Sequence, residues 1–295
     1  MFFFLKGLSV GVFGRYAGCS LCVSNRRMMT NFNRLSGLAL ASCLMAATAL
    51  AGVEQAIPEM AGLEAWALFS LGAGVSGNSF KGATVNGDVG VSGNGIISLA
   101  STTLNGNLYY GSHGSLQMSG TSVITGAKIH DQDAMLNNAV AAAMAASGAA
   151  SALLPNRPFT NFNLKKTQTA ILTGAPGETV VLNLKIFALS GNAAMTLNGT
   201  ATTNFVINVK SQFSLLANSR IILAGGLNWN NVLFNITGTG ANALIAGQSS
   251  FQGILMANQR TVQVRDQATV RGQIIANRIL LSGASQITHP PVTSP

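Results

Sequence analysis

The chain has 295 residues, enough for one sizeable domain or two small ones. Only 8% of them are charged, against about 25% in a typical globular domain, while 48% are hydrophobic and 33 are glycine. This composition excludes a disordered chain, which combines low hydrophobicity with high charge. The net charge of +9 is concentrated before residue 35, and the remaining basic residues are too scattered to predict a nucleic-acid partner.

Residues 1–51 have the features of a leader followed by a secretory signal peptide. A basic stretch that ends at Arg34 precedes an apolar run at residues 35–50, and Ala51 completes a small-x-small signal-peptidase site. The run is shorter than the roughly 20 residues that a membrane span needs. The sequence therefore predicts a secreted or cell-surface protein with no membrane span after cleavage. A later methionine is the more natural start, so residues 1–27 are a candidate start-site artefact.

The cysteines permit a second interpretation of the same region. Residues 40–43 resemble a bacterial lipobox, in which Cys43 would be acylated, but the apolar run continues past Cys43. Plain secretion is therefore the preferred prediction. Cys19 and Cys22 also precede the cleavage site, so we expect a mature protein without disulfides or thiolate chemistry.

The body of the chain repeats at intervals of about 20 residues. The phrase Thr-Val-Asn-Gly-Asp-Val at 84–89 recurs as Thr-Leu-Asn-Gly-Asn-Leu at 103–108, and looser copies surround Gly126, Gly253 and Gly272. Alternating apolar segments between these phrases predict half-buried strands, and we expect the shared glycines to supply left-handed turns. Short strands in coils of this length predict a β-solenoid, in which each coil buries its core against the next.

The solenoid is predicted to form a single domain over residues 66–290, between a linker at 52–65 and a short tail at 291–295. An alanine-rich segment at 131–154 interrupts it and predicts one long helix, with Asp131 as its N-cap. The helix should separate about three N-terminal coils from a longer C-terminal set. Its predicted apolar stripe, which would pack along the flank of the solenoid, consists of Met135, Leu136, Val140 and Met144.

Four later phrases follow the helix in a recognisable order. They are Leu-Thr-Gly-Ala-Pro-Gly-Glu-Thr-Val-Val-Leu-Asn at 172–183, Asn-Val-Leu-Phe-Asn at 231–235, Gly-Ile-Leu-Met-Ala at 253–257 and Gly-Gln-Ile-Ile-Ala at 272–276. With the repeats and the helix, this order resembles the choice-of-anchor A family of bacterial surface proteins and, more distantly, the ice-binding-like family.

The resemblance implies a mainly β fold, a right-handed parallel β-helix (β-solenoid) of triangular cross-section with the alanine-rich helix packed alongside. It also implies an extracellular, non-enzymatic role. Choice-of-anchor A proteins commonly carry a sorting signal after the solenoid. This chain stops at His-Pro-Pro-Val-Thr-Ser-Pro without an apolar tail, so covalent or membrane anchoring is not expected.

An enzymatic function has to be considered, because parallel β-helices include polysaccharide lyases and hydrolases. The positions of the acidic residues decide whether such chemistry is expected. Glycoside hydrolysis normally uses two carboxylates that flank one bond. Only Asp88 and Asp266 lack an evident local role, and they fall in distant coils. His113, His130 and His289 have no partners at metal-ligand spacing. We therefore predict no enzyme, no metal and no cofactor.

Two sets of residues are candidates for binding. Thr84, Thr103, Thr125 and Thr269 occupy similar positions in their repeats and predict a stacked threonine row, as an ice-binding face would require. Trp229, Tyr109 and Tyr110 are the aromatics that an adhesin would expose. The main prediction is adhesion or contact with an extracellular surface, glycan or matrix protein. Ice binding is the first alternative, and a polysaccharide-active enzyme is the second.

Overall fold

A computed structural model describes residues 57–72 and 77–291. The predicted leader, signal peptide and cysteines lie outside these residues. In the N-terminal half the strands are β1 (Trp66–Ser70), β2 (Asn78–Lys81), β3 (Thr84–Asn86), β4 (Asp88–Val91), β5 (Ile96–Ala100), β6 (Thr103–Asn105), β7 (Leu108–Tyr110), β8 (Ser115–Ser119), β9 (Val123–Ile124) and β10 (Lys128–Ile129). The helix α1 follows at Asp133–Ala152.

Eleven further strands and one turn of 3₁₀ helix (Trp229–Asn231) follow α1. The strands are β11 (Asn161–Lys165), β12 (Thr169–Thr173), β13 (Thr179–Ser190), β14 (Ala194–Asn198), β15 (Asn204–Leu216), β16 (Arg220–Ala224), β17 (Val232–Ile236), β18 (Ala243–Ile245), β19 (Ser250–Val264), β20 (Thr269–Leu281) and β21 (Gln286–Thr288). The prediction of a mainly β fold with one long helix is confirmed.

The strands pair in parallel into three stacks. The helix-side stack runs β13, β15, β17, β19, β20, β1, β4, β7 and β10. The middle stack runs β11, β13, β15, β18, β19, β20, β2, β5 and β8. The threonine stack runs β12, β14, β16, β19, β20, β21, β3, β6 and β9. The long strands β19 and β20 bend so that each contributes to all three stacks.

The coils stack in an order that differs from their order in the chain. The first coil pairs with the last C-terminal coil in every stack, for example at Leu68 with Ile274 and at Val85 with Ile287. The N-terminal coils therefore extend the three stacks beyond the last C-terminal coil. The helix α1 then carries the chain back along the stacks: its 20 residues are about 30 Å long, which equals about six strand spacings.

Side chains that point into the coils form one continuous core. Five of its largest members are phenylalanines of neighbouring coils whose rings pack 5.0–6.1 Å apart: Phe162, Phe187, Phe213, Phe234 and Phe251. A second cluster lies between the helix-side stack and α1. The described part of the predicted linker belongs to this cluster through Met60 and Leu63, because it packs back onto the same stack.

The helix contacts the stack mainly through small residues and only in part through the predicted stripe. Its buried positions are Leu136, Ala139, Ala143, Ala146 and Ala150, whereas Met135 and Met144 are exposed. The predicted stripe was therefore right for Leu136 and in part for Val140, which packs against the same cluster, and wrong for Met135 and Met144. Alanine at the other buried positions allows the close approach that the hydrogen bonds between stack and helix require. The N-cap prediction was also wrong: Gln132 precedes the helix, and Asp131 adopts a left-handed conformation with φ 61°.

Some of the repeated glycines supply left-handed backbone torsions, as the sequence predicted, and others allow neighbouring coils to stack closely. Gly87, Gly253 and Gly272 have φ between 132° and 138°, where other residues are strained. Gly106 and Gly126 do not, and the left-handed prediction was wrong for them. A Cβ at either position would collide with the backbone carbonyl of the glycine one coil away. Close stacking of coils therefore accounts for these two glycines.

Candidate functional site

Three of the four predicted threonines lie in one column on the outer surface of the threonine stack. Thr84 is the register partner of Thr103, and Thr269 belongs to the same column with Gln286 between it and Thr84. Thr125 lies elsewhere, because Val123 occupies the column position in the last coil. Thr125 comes two residues later and is exposed, so it belongs to the adjacent column.

The adjacent column consists of polar side chains that hold one another. Asn105 donates from Nδ2 to Asn86 Oδ1 at 2.8 Å, and Asn86 donates from Nδ2 to Thr288 Oγ1 at 3.3 Å. Neither Asn86, Asn105 nor Thr288 was predicted as a site residue. The signal was present in the sequence, because the repeats carry Thr-x-Asn and alternate residues of a strand face the same side.

The two columns together form an uncharged array over four coils, here called the threonine patch. Its members are Gln286, Thr288, Thr84, Asn86, Thr103, Asn105, Val123 and Thr125. Neighbouring coils are about 4.8 Å apart and alternate residues of a strand about 6.6 Å apart, so the patch repeats in two directions. Beyond it, Arg271 and Arg220 are exposed on the same stack and Ile171 is 72% exposed. The regular, charge-free surface therefore spans the C-terminal strand β21 and the N-terminal strands β3, β6 and β9.

The middle stack has a different outer surface. Its central column is also uncharged and consists of Asn163, Ala188, Ser214, Leu244, Gln263, Leu280, Ser79, Ser98 and Gln117. These side chains vary in length from alanine to glutamine, so the surface has no constant depth. The cations Lys81, Lys165 and Arg265 flank the column.

The aromatic candidates do not form an exposed binding surface. Trp229 is only 7% exposed and its ring contacts that of His289 at 5.0 Å, so its predicted exposure was wrong. Tyr109 packs edge-on against Trp66 at 5.1 Å, and Tyr110 packs against the core and lies 4.7 Å from the His130 ring. These aromatic rings are not freely exposed because they pack against the helix-side cluster and the core. A single sequence does not reveal this packing.

Asp88 and Asp266 lie at different corners of the coils and do not flank one substrate bond, as hydrolysis would require. Asp88 accepts hydrogen bonds from Asn107 at the corner before the helix-side stack. Asp266 pairs with Arg265 at 3.2 Å, in a turn at a different corner. Across residues 57–72 and 77–291, no three potential metal-ligating side chains come together. The same residues include no helix long and apolar enough to cross a bilayer.

Comparison with known proteins identifies the family. A family model described as Ice-binding-like matches residues 70–287, which include nearly all of the described strands. The chain belongs to the ice-binding-like family. This is the more distant of the two resemblances in the sequence, and nothing in the comparisons points to choice-of-anchor A proteins, glycans or matrix proteins.

Relatives of the ice-binding-like chain agree with this assignment. An ice-binding protein of Flammulina populicola is 31% identical over 127 residues, or 42% of this chain and 50% of that protein. The chain thus spans half of that relative's length. The crystal structure of an ice-binding protein from the Antarctic ascomycete Antarctomyces psychrotrophicus matches 79% of this chain and 98% of its own, with a TM-score of 0.53 and 19% identity. An ice-binding protein from an Antarctic biological consortium gives a TM-score of 0.52 over 79% and 91%, at 17% identity. At these identities the structures establish the fold alone.

Proposed function

We propose that this protein is a secreted, non-enzymatic ice-binding protein and that the threonine patch contacts ice. Family membership and the relatives named above support ice binding over adhesion, which was the main prediction. The observation that carries the choice of surface is the uncharged two-column array on four consecutive coils. The basic and apolar N-terminal pattern supports secretion.

Physical chemistry favours such an array at an ice surface. Ice presents a regular, uncharged lattice of donors and acceptors, so a complementary protein surface should be regular and uncharged too. Threonine is stiff at χ1 because of its β-branch, and the hydrogen bonds from Asn105 to Asn86 to Thr288 restrict those side chains further. A surface ordered before contact loses little side-chain entropy on binding.

We further propose that the coil is a right-handed β-solenoid of triangular cross-section, as the family resemblance implies. The three parallel stacks that share β19 and β20 support this arrangement. A rigid coil suits the proposed function, because the strand spacing then fixes the spacing of the outward side chains.

Thermal hysteresis and inhibition of ice recrystallisation test the function directly. The protein should be purified from a host that exports it, with its N-terminus read by mass spectrometry. We expect activity that increases with protein concentration. A complete lack of both activities at high concentration would show that ice binding is wrong and would favour adhesion.

A matched pair of variants tests the surface. Thr103→Tyr places a bulky ring in the threonine patch, and Ser98→Tyr places the same ring on the middle stack in the same coil. Both positions are partly exposed, so neither ring has to enter the core. We expect Thr103→Tyr to lose most of the hysteresis and Ser98→Tyr to keep it, with equal melting temperatures. The opposite result would move the ice-contacting surface to the middle stack and leave the function intact.

A further inference from the structure

A cleft lies between the second half of α1 and the strands β13, β15, β17 and β19 of the helix-side stack. Its volume is about 300 Å³, at the lower end of the range for small-molecule sites. Ser147 and Ser151 line it from the helix, and Asn183, Lys210 and Gln259 line it from the stack. It is on the covered side of the solenoid, separate from the threonine patch.

A chain of hydrogen bonds runs through the wall of the cleft in one direction. The Ser147 hydroxyl donates to Asn235 Oδ1 at 2.7 Å. Asn235 Nδ2 donates to Asn208 Oδ1 at 2.8 Å, and Asn208 Nδ2 donates to Asn183 Oδ1 at 2.9 Å. Each bond polarises the next, so the chain ends at the Asn183 amide with its donor strengthened.

The wall is rigid because its middle members are buried and held by the helix. Asn208 is 3% exposed and Asn235 is fully buried. Asn208 also donates to the carbonyl of Ala150 at 2.8 Å, and Asn235 to that of Ser147 at 3.1 Å. The stack and the helix therefore fix the position of the Asn183 amide, so a ligand would find it already ordered.

The chemistry of the lining favours a ligand with many hydroxyl groups. Amide and hydroxyl groups can both donate and accept, and the lining contains Lys210 but no carboxylate. Met144, which is 48% exposed, adds an apolar surface against which C–H groups can pack. The geometry points to a binding site for a polyhydroxylated molecule of about monosaccharide size. The site contains no pair of titratable groups for chemistry, so its role is binding.

Gly148 provides a way to close the cleft without disturbing the fold. It lines the cleft from within α1, and a Cβ built on it has no atom within 4 Å. A tyrosine at this position would fill the open volume. An alanine would fill little of it, and both residues favour the helix over glycine.

Ligand-observed saturation-transfer NMR and calorimetry with D-glucose, D-galactose and N-acetylglucosamine test the proposal. We expect at least one sugar to bind the exported protein, Gly148→Tyr to weaken its binding at least about tenfold, and Gly148→Ala to keep it. Both variants should melt at or above the wild-type temperature. Lack of binding by all three sugars, or binding that Gly148→Tyr leaves unchanged, would overturn the proposal. Thermal hysteresis should be the same in both variants, so this site and the proposed function fail independently.

Discussion

The helix-side stack and the threonine stack are built by the same coils but have opposite outer surfaces. In the helix-side stack, β1 and β17 are buried at all five positions, because the core covers one side and α1 with its neighbouring segments covers the other. In the threonine stack, β3, β6 and β21 are buried only at their central residue. Continuous apolar runs thus indicate strands covered on both sides, and alternation indicates strands with one side in solvent.

The two stacks also use asparagine columns differently. In the helix-side stack the column of Asn183, Asn208 and Asn235 is largely buried and fixes the helix through its backbone carbonyls. In the threonine stack, Asn86 and Asn105 bond to each other at the surface. The same side chain therefore contributes to stability in one place and to surface order in the other.

The largest expected effect comes from truncating a helix-facing side chain. Leu233 is fully buried in the cluster beneath α1, and Leu233→Ala should lower the free energy of unfolding by about 2–5 kcal/mol through lost burial and a cavity. Thr103→Ala at an outward position of the threonine stack should change it by less than about 0.5 kcal/mol. Chemical denaturation measures both. Similar losses in the two variants would contradict the contrast between the stacks.

A smaller effect should separate the two asparagine columns. Asn235→Ala leaves the buried Asn208 Oδ1 without its partner and removes the bond to the Ser147 carbonyl, which should cost about 1–3 kcal/mol. Asn86→Ala leaves its partners in solvent, where water replaces the lost bonds. We expect the second variant to unfold at nearly the wild-type denaturant concentration while its thermal hysteresis falls. A stable Asn235→Ala would show that the buried column does not secure the helix.

The smallest expected effect is a pH dependence at the seam between the two stacks, where His289 contacts Trp229 and donates its backbone N–H to Asn86. Burial lowers the pKa of His289, and the Asp88 carboxylate opposes this only in part. The unfolded chain therefore takes up the proton first, so stability is full above about pH 6.5 and falls as the pH drops below it.

Melting temperatures between pH 5 and pH 8 test this dependence. The melting temperature of the wild type should fall towards pH 5. It should fall less in His289→Gln, and as much as in wild type in His113→Gln, which changes an exposed position. A decrease of the same size in His289→Gln would assign the pH dependence to other groups.

Particular residues show how far the sequence predicted the surface. The repeat placed Thr84, Thr103 and Thr269 in one column because equal spacing within coils gives equal positions in a stack. It misplaced Thr125, which stands one residue before Gly126, whereas Thr84 and Thr103 stand three residues before their glycines. The exposure expected for Trp229 was wrong, since a turn-like local sequence does not reveal which segments pack over the turn.

The sequence by itself determined the repeated strands, the long helix α1 and the strand faces on which most of the threonines lie, because these depend on local period and on turns at glycine. Only the tertiary structure decided that the N-terminal coils continue the stacks after β20 and β21, and that alanines, not methionines, meet the helix-side stack. The strand edges of parallel stacks can accept any coil of matching shape, and a local pattern carries no record of which coil is next. The helix α1 carries the chain back along the stacks, and hydrogen bonds from the asparagine column hold the helix in place. Together they select one stacking order of the coils.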